Sequence, residues 1–208
     1  MTLRALIPLK ALGAAKSRLA PAVSAGDRRA LALAMARHVV DVVSARVDET
    51  ILLVSEPMAE FAGLRVMIDA GADLNASLAC AAAALDARPG DGLLVVFADL
   101  PLLAADEVRD LIAASARGLA LAPDRLGVGT NAVGLRQPLD LAFRFGPDSF
   151  RRFQDEARRL GVPAVPVERP GLALDIDDGE SLEIYLRRCG QDGHRPLSVS
   201  PSGGSISG

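Results

Sequence analysis

Two runs restrict the fold more than anything else in the chain: ILLVS at 51–55 and LLVVFA at 93–98 place apolar residues one after another without alternation. Successive side chains of a strand point to opposite faces, so an uninterrupted apolar run belongs to a strand covered on both sides. Helical patterns stand between the runs and supply the covering layers. The expected architecture is α/β, one domain, a sheet with helices on both faces. Strands are expected at Leu3–Leu9, Thr50–Ser55, Arg65–Ile68, Leu93–Ala98, Leu119–Ala122, Ala132–Leu135 and Ala164–Val167. The segment SAGDRRALALAMARHVVDVV opens on Ser24 and Asp27, a capping pair, and carries Leu31, Met35, His38, Val39 and Val42 along one helical face. Further helices are expected at Leu74–Leu85, Ala105–Ala114, Ser149–Leu160 and Ser181–Arg188.

The chain has 208 residues, enough for one good-sized core, and mean hydropathy is +0.27. The domain is expected to span 1–190, with the Ser/Gly/Pro-rich stretch 191–208 a disordered tail. A net charge of −3 argues against a nucleic-acid partner, and six Phe with one Tyr and no Trp give no stacking platform. No apolar stretch reaches the length of a membrane span and no signal peptide opens the chain, so the expected location is the cytoplasm, without a membrane partner. His38 and His194 are too few for a zinc site or a histidine-based triad, and His38 reads as a packed helix residue. Cys80 and Cys189 lie in no metal-like spacing; both are expected reduced, with Cys80 a small core residue.

Ligands of open α/β sheets bind beyond the carboxyl ends of the strands, so the polar residues after each strand carry the functional question. Lys10, Gly13, Lys16, Ser17 and Arg18 follow the first strand, Asp99 follows LLVVFA, and Asp175 and Asp177 follow a late apolar run. Taken singly, Asp99 is a turn residue capping the helix after Pro101, and the late pair ends a strand. Together, three carboxylates and several cations point to a metal–phosphate site, since Mg²⁺ takes one or two carboxylates plus phosphate oxygens. The first loop is not a nucleotide P-loop, because Lys10 and Ala15 stand where the glycines before Lys16 belong. It reads instead as a looser anion-binding turn or a solvated basic one. A second polar cluster is GVGTNAVGL followed by FRFGPDSFRRF, which holds four of the six Phe. Its GPDS segment starts a helix whose free N–H groups suit a small carboxylate or phosphate, with Asp148 the alternative N-cap.

The segments ALIPLKALGAAKSRLAP, FADLPLL, GTNAVGL, FGPDSF and LALDIDDGESL, in this order, resemble the guanylyltransferases of coenzyme F420 biosynthesis. The resemblance spans roughly residues 3–190 and implies a GT-A-like nucleotidyltransferase, a Rossmann-like mixed sheet. It implies transfer of GMP from GTP to phosphoenolpyruvate, 3-phospho-D-glycerate or 2-phospho-L-lactate, with release of pyrophosphate. An Ala/Arg-rich composition, typical of a GC-rich genome, points to a bacterium, for which the resemblance implies the first two acids. The resemblance makes Asp99, Asp175 and Asp177 the Mg²⁺ carboxylates and Thr130, Gly146 and Ser149 the acceptor contacts. It makes Lys10, Lys16, Ser17, Arg18 and Asn75 the GTP contacts, with Asp99, Lys16 and Arg18 in the catalytic role. The chain departs from the family at AGADLNASL, where Asp73 stands in place of an expected Gly. Expected partners are GTP, the phosphorylated acid and a downstream transferase of the pathway, for a monomer or homodimer. The alternatives are a related nucleotidyltransferase, of the molybdenum-cofactor guanylyltransferase or sugar-phosphate type, and a catalytically silent GTP-binding regulator.

Overall fold

The apolar runs form the middle of one seven-stranded sheet, as their lack of alternation requires. In a computed structural model, which describes residues 1–9, 16–21, 23–69, 71–137, 140–192 and 197, the strands are β1 (Leu3–Leu9), β2 (Glu49–Val54), β3 (Arg65–Ile68), β4 (Gly92–Val96), β5 (Leu119–Pro123), β6 (Thr130–Arg136) and β7 (Ala164–Pro166). The helices are α1 (Ala25–Ser44), α2 (Leu74–Ala83), α3 (Ala105–Ser115), α4 (Ser149–Leu160), α5 (Pro170–Ala173) and α6 (Gly179–Asp192). Each expected strand and helix is present within a few residues of its expected bounds.

Both faces of β2 and β4 are buried, and by different partners. Leu52, Val54, Leu94 and Val96 pack with Val39 and Val43 of α1 and Val108 and Leu111 of α3. Their sequence neighbours Ile51, Leu53, Leu93 and Val95 pack on the other face with Leu78 of α2 and Phe153 and Ala157 of α4. Each fully buried Leu or Ile contributes about 1.5–3 kcal/mol, so burial on both faces makes the sheet centre a main source of stability.

Sheet order is β3-β2-β1-β4-β6-β5-β7. The chain builds outward from β1 in one direction through β2 and β3, then resumes on the other side at β4, leaving a crevice between the carboxyl ends of β1 and β4. Only β6 runs against the rest, antiparallel to both β4 and β5. Its first residue, Thr130, pairs with Pro123 at the end of β5, so the start of β6 lies at the same edge as the ends of its neighbours. That reversal brings the GTNAVGL segment to the crevice.

Two alternatives fall away, and two local expectations need correction. Asp99 does not cap α3, whose N-cap is Ala104. Asp175 and Asp177 end no strand; the short helix α5 precedes them. Cys80 is exposed, because the buried stripe of α2 is Ser77, Leu78 and Ala81, and the buried free cysteine is Cys189. The last helix runs to Asp192, and Leu197, partly buried, donates its N–H to Tyr185 Oη at 2.8 Å. The remaining residues beyond Asp192 lie outside the described set. His38 is as expected, a partly buried helix residue whose Nε2 lies 2.9 Å from the Leu103 carbonyl oxygen. No helix among the described residues is long and apolar enough to cross a membrane.

Candidate active site at the switch point of the sheet

Three segments meet at the crevice. Asp99 follows β4 by three residues. Asp175 and Asp177 alternate with Leu174 and Ile176, and this two-residue period buries the apolar pair in a cluster with Leu19, Leu31 and Tyr185 while presenting the acids to the site. Leu19 in that cluster also anchors the returning end of the first loop, which brings Lys16 back to the same place. A backbone bond from Ile176 N–H to the Asp99 carbonyl, 3.2 Å, fixes the two acidic segments against each other.

Asp99, Asp175 and Asp177 each offer a carboxylate oxygen, and these atoms lie within 4.8 Å of one another. Lys16 Nζ donates to Asp99 Oδ2 and to Asp177 Oδ1, both at 2.7 Å. Burial acts to lower the Lys16 pKa, but Asp99 and Asp177 outweigh it and the net direction is upward. Lys16 also has φ of +60°, a left-handed conformation that costs a side-chain-bearing residue about 1 kcal/mol or more. Its ion pairs and the Leu19 anchor hold it there. One lysine cannot neutralise three carboxylates. Burial, then the charges of Asp99 and Asp177, push the Asp175 carboxyl up to about 6.

The residues present fit a divalent cation. Beyond the acid cluster itself, Asp99 Oδ1 is buried and has no hydrogen-bond partner among the described residues, and neither has the buried Thr130 Oγ1. Unpartnered buried oxygens are rare, and at a polar crevice they are atoms that a ligand completes.

The expected acceptor contacts reach the same edge. Phe150 N–H of α4 donates to the Val128 carbonyl at 3.0 Å, tying the first turn of the helix to the approach of β6 and Thr130. Gly146, at φ +118°, lies in a region that glycine alone adopts readily. Its carbonyl accepts from Ser149 N–H at 3.1 Å, and Ser149 is buried. The N–H groups of Ser149 and Phe150 are therefore already used, so this helix start is less open to an anion than FGPDSF alone indicates. Asp148 caps nothing with its side chain and sits at φ +53°.

Among the expected GTP contacts, Lys10 lies outside the described residues, as does the side chain of Ser17. Arg18 is exposed on the short turn Ser17–Leu19. Asn75 is engaged by the backbone of Phe145: its Nδ2 donates to that carbonyl at 3.0 Å and its Oδ1 accepts from that N–H at 2.8 Å. Asp73 is a helix cap, extended at φ −150°, with Oδ1 accepting from Ala76 N–H at 2.9 Å, so its position makes no demand for glycine. The close approach falls at Gly71 instead, where a Cβ would stand 2.3 Å from Ser77 N.

Two residues at the site went unremarked in the sequence. Asn131, buried on β6, donates from Nδ2 to the Leu172 carbonyl at 3.0 Å and lies 3.3 Å from Asp175 Oδ1. It aims a carboxylate that repulsion would otherwise turn away. Glu107, buried on α3, accepts from Ala104 N–H at 3.0 Å and from Gly171 N–H at 2.8 Å, fixing the segment that leads to Asp175. Asn131 stands directly after Thr130 in GTNAVGL, so the signal for it was there; Glu107 carried none.

Comparison with known proteins identifies the family. Residues 3–195 match the family described as "Guanylyl transferase CofC like". A phosphoenolpyruvate guanylyltransferase of Sphaerobacter thermophilus is 40% identical over 207 residues, covering 96% of this chain and 97% of that one. Among solved structures, a putative nucleotide-diphospho-sugar transferase from Desulfovibrio desulfuricans superposes with a TM-score of 0.78 at 15% identity, covering 94% of this chain and 92% of that one. A Mycobacterium tuberculosis protein solved in complex with manganese superposes with a TM-score of 0.56 at 18% identity, covering 90% and 98%. These two share the fold, which is GT-A-like. The chain is an enzyme of the nucleotidyltransferase class and belongs to the CofC-like guanylyl transferase family.

Proposed function

We propose that this guanylyltransferase moves GMP from GTP onto the phosphate of phosphoenolpyruvate and releases pyrophosphate, as a step in coenzyme F420 biosynthesis. The observation that carries the reading is the convergence of Asp99, Asp175, Asp177 and Lys16 beyond the ends of β1 and β4. Phosphoenolpyruvate is preferred over 3-phospho-D-glycerate and 2-phospho-L-lactate because it is the substrate in the name of the Sphaerobacter relative.

Both reactants are polyanions, so repulsion is the first obstacle. Asp99, Asp175 and Asp177 would hold a divalent cation, Mg²⁺ by preference, which would supply positive charge to offset that repulsion. The manganese complex of the M. tuberculosis neighbour supports a divalent ion on this fold. Asn131 keeps Asp175 aimed at that position. Lys16 takes up carboxylate charge while the site is empty of nucleotide, and its long stem then re-aims the ammonium at the β- and γ-phosphates together with Lys10 and Arg18. Thr130 Oγ1, Gly146 and Ser149 bind the acceptor, while Asn75 holds Phe145 and so sets where Gly146 stands. An acceptor phosphate oxygen, already anionic at neutral pH, bonds to the α-phosphorus as the bond to the β-phosphate oxygen breaks in line with it. No general base is needed, and positioning of the two reactants supplies on the order of 7–11 kcal/mol. Retention of all three acids is what disfavours a silent GTP-binding regulator, and the poor glycine content of the first loop disfavours the molybdenum-cofactor type.

The test is pyrophosphate release by the purified protein with GTP and Mg²⁺, run in parallel with the three acids. Release with phosphoenolpyruvate alone is the expected result. Release with another acid reassigns the acceptor, and silence with all three removes the proposed reaction.

A further inference from the structure

We infer that Arg152 binds the carboxylate of the acceptor acid, an inference that rests on the acceptor site proposed above. Arg152 lies on the second turn of α4, three residues after Ser149 and therefore on the same side of the helix. Its Nη1 is 3.9 Å from the point a Cβ would occupy on Gly146, so the guanidinium stands over the glycine that the acceptor approaches.

Its neighbours are already committed. Arg151 and Arg158 pair with Asp155, and Arg144 and Arg159 pair with the buried Glu156. Lys16 is shared by Asp99 and Asp177. Arg152 has no carboxylate within 4.0 Å among the described residues, although it sits in the same arginine-rich turn. It is exposed, so its head is open to an incoming anion.

The acceptor needs such a group. A phosphorylated carboxylic acid carries about three negative charges near neutral pH, and its phosphate must face the acid cluster and the α-phosphorus. The carboxylate then projects away from that cluster and needs its own counter-charge. A planar guanidinium meets a carboxylate with two parallel N–H bonds, which also fixes the angle at which the phosphate is presented. Gly146 leaves the space between them clear. Any side chain there would fill it, and φ of +118° already selects against one.

The test is steady-state kinetics of Arg152→Gln, Arg152→Lys and Arg151→Gln, with thermal unfolding as a control for folding. Arg152→Gln is expected to raise the KM for phosphoenolpyruvate about ten- to a hundredfold, the scale of one charge-assisted pair, with the KM for GTP and the Tm unchanged. Arg152→Lys should recover part of the loss, and Arg151→Gln should match the wild type. A phosphoenolpyruvate KM that stays within about twofold in Arg152→Gln, or a rise confined to GTP, overturns the inference while leaving the proposed reaction standing. If the wild type releases no pyrophosphate with any of the acids, the proposed reaction fails by itself. Calorimetric binding of phosphoenolpyruvate then decides about Arg152: binding lost in Arg152→Gln upholds the inference, and no binding by the wild type overturns it.

Discussion

Asp175 is held between two other carboxylates, where burial and their charge keep its carboxyl near pKa 6 against an ordinary 3.8. A raised carboxyl pKa works against folding as pH rises. Between the two values the folded protein keeps a proton that the unfolded chain has released, so stability falls through that window and then levels off. Asp175→Asn keeps the oxygen that faces Asn131 and removes the charge. We expect its Tm in the presence of a chelator at neutral pH to rise by roughly 4–8 °C, while turnover with Mg²⁺ falls about a hundredfold or more. An unchanged or lower Tm measured by calorimetry would mean that the acids do not crowd one another in the metal-free protein. The grouping of Asp99, Asp175 and Asp177 at one edge was legible because the acids follow apolar runs. The partner of Asp175 was not, because an Asn in mid-strand looks the same in sequence whether it packs, pairs or points at solvent.

At the scale of elements, α2 and α4 are coupled through one amide. Asn75, on the first turn of α2, clamps both backbone groups of Phe145, and Gly146 follows immediately. Removing the clamp leaves a partly buried N–H and carbonyl unsatisfied, which costs about 1–3 kcal/mol. Asn75→Ala is therefore expected to lower stability by that amount and to raise the acceptor KM more than the GTP KM. The opposite split in steady-state kinetics would return Asn75 to direct contact with the nucleotide. Periodicity located these helices well, since three- and four-residue apolar spacing reports which face is buried. It gave no check on Cys80, expected in the core and found exposed, because a ten-residue helix made mostly of Ala, Leu and Cys has apolar residues all round and no polar face to fix its phase. It also missed α5, which at four residues is shorter than any period can register.

Across the whole molecule, the candidate site sits at one edge of the sheet and a stabilising ion network at the other. At the amino-terminal end of β1, Asp91 accepts from Thr2 N–H at 2.7 Å and from Arg88 N–H at 3.1 Å, and pairs with Arg4 at 3.2 Å. Those two N–H groups, then Arg4, hold its carboxyl down at about 2. A depressed carboxyl pKa stabilises the fold above the ordinary value and loses that contribution as pH falls through the folded one. Denaturant melts should therefore show a stability gap between wild type and Asp91→Asn above pH 4 that closes between about pH 4 and pH 2. A gap that persists unchanged to the acid limit would contradict the assignment. The sheet was readable from two apolar runs, but its order was not, since strand order depends on which helices cross over which face. The reversal of β6 in particular leaves no local trace, and it is what delivers Thr130 and Asn131 to the crevice.

We propose that Asp99, Asp175 and Asp177 form a divalent-cation site. The most direct measurement is equilibrium Mn²⁺ binding, followed by electron paramagnetic resonance, on the wild type and on Asp99→Asn, each confirmed folded by circular dichroism. A site built on these acids gives saturable binding by the wild type that weakens at least about tenfold in the variant, since losing even an outer partner of a metal costs that much. Equal binding by the two proteins, or none by the wild type with GTP present, would contradict it.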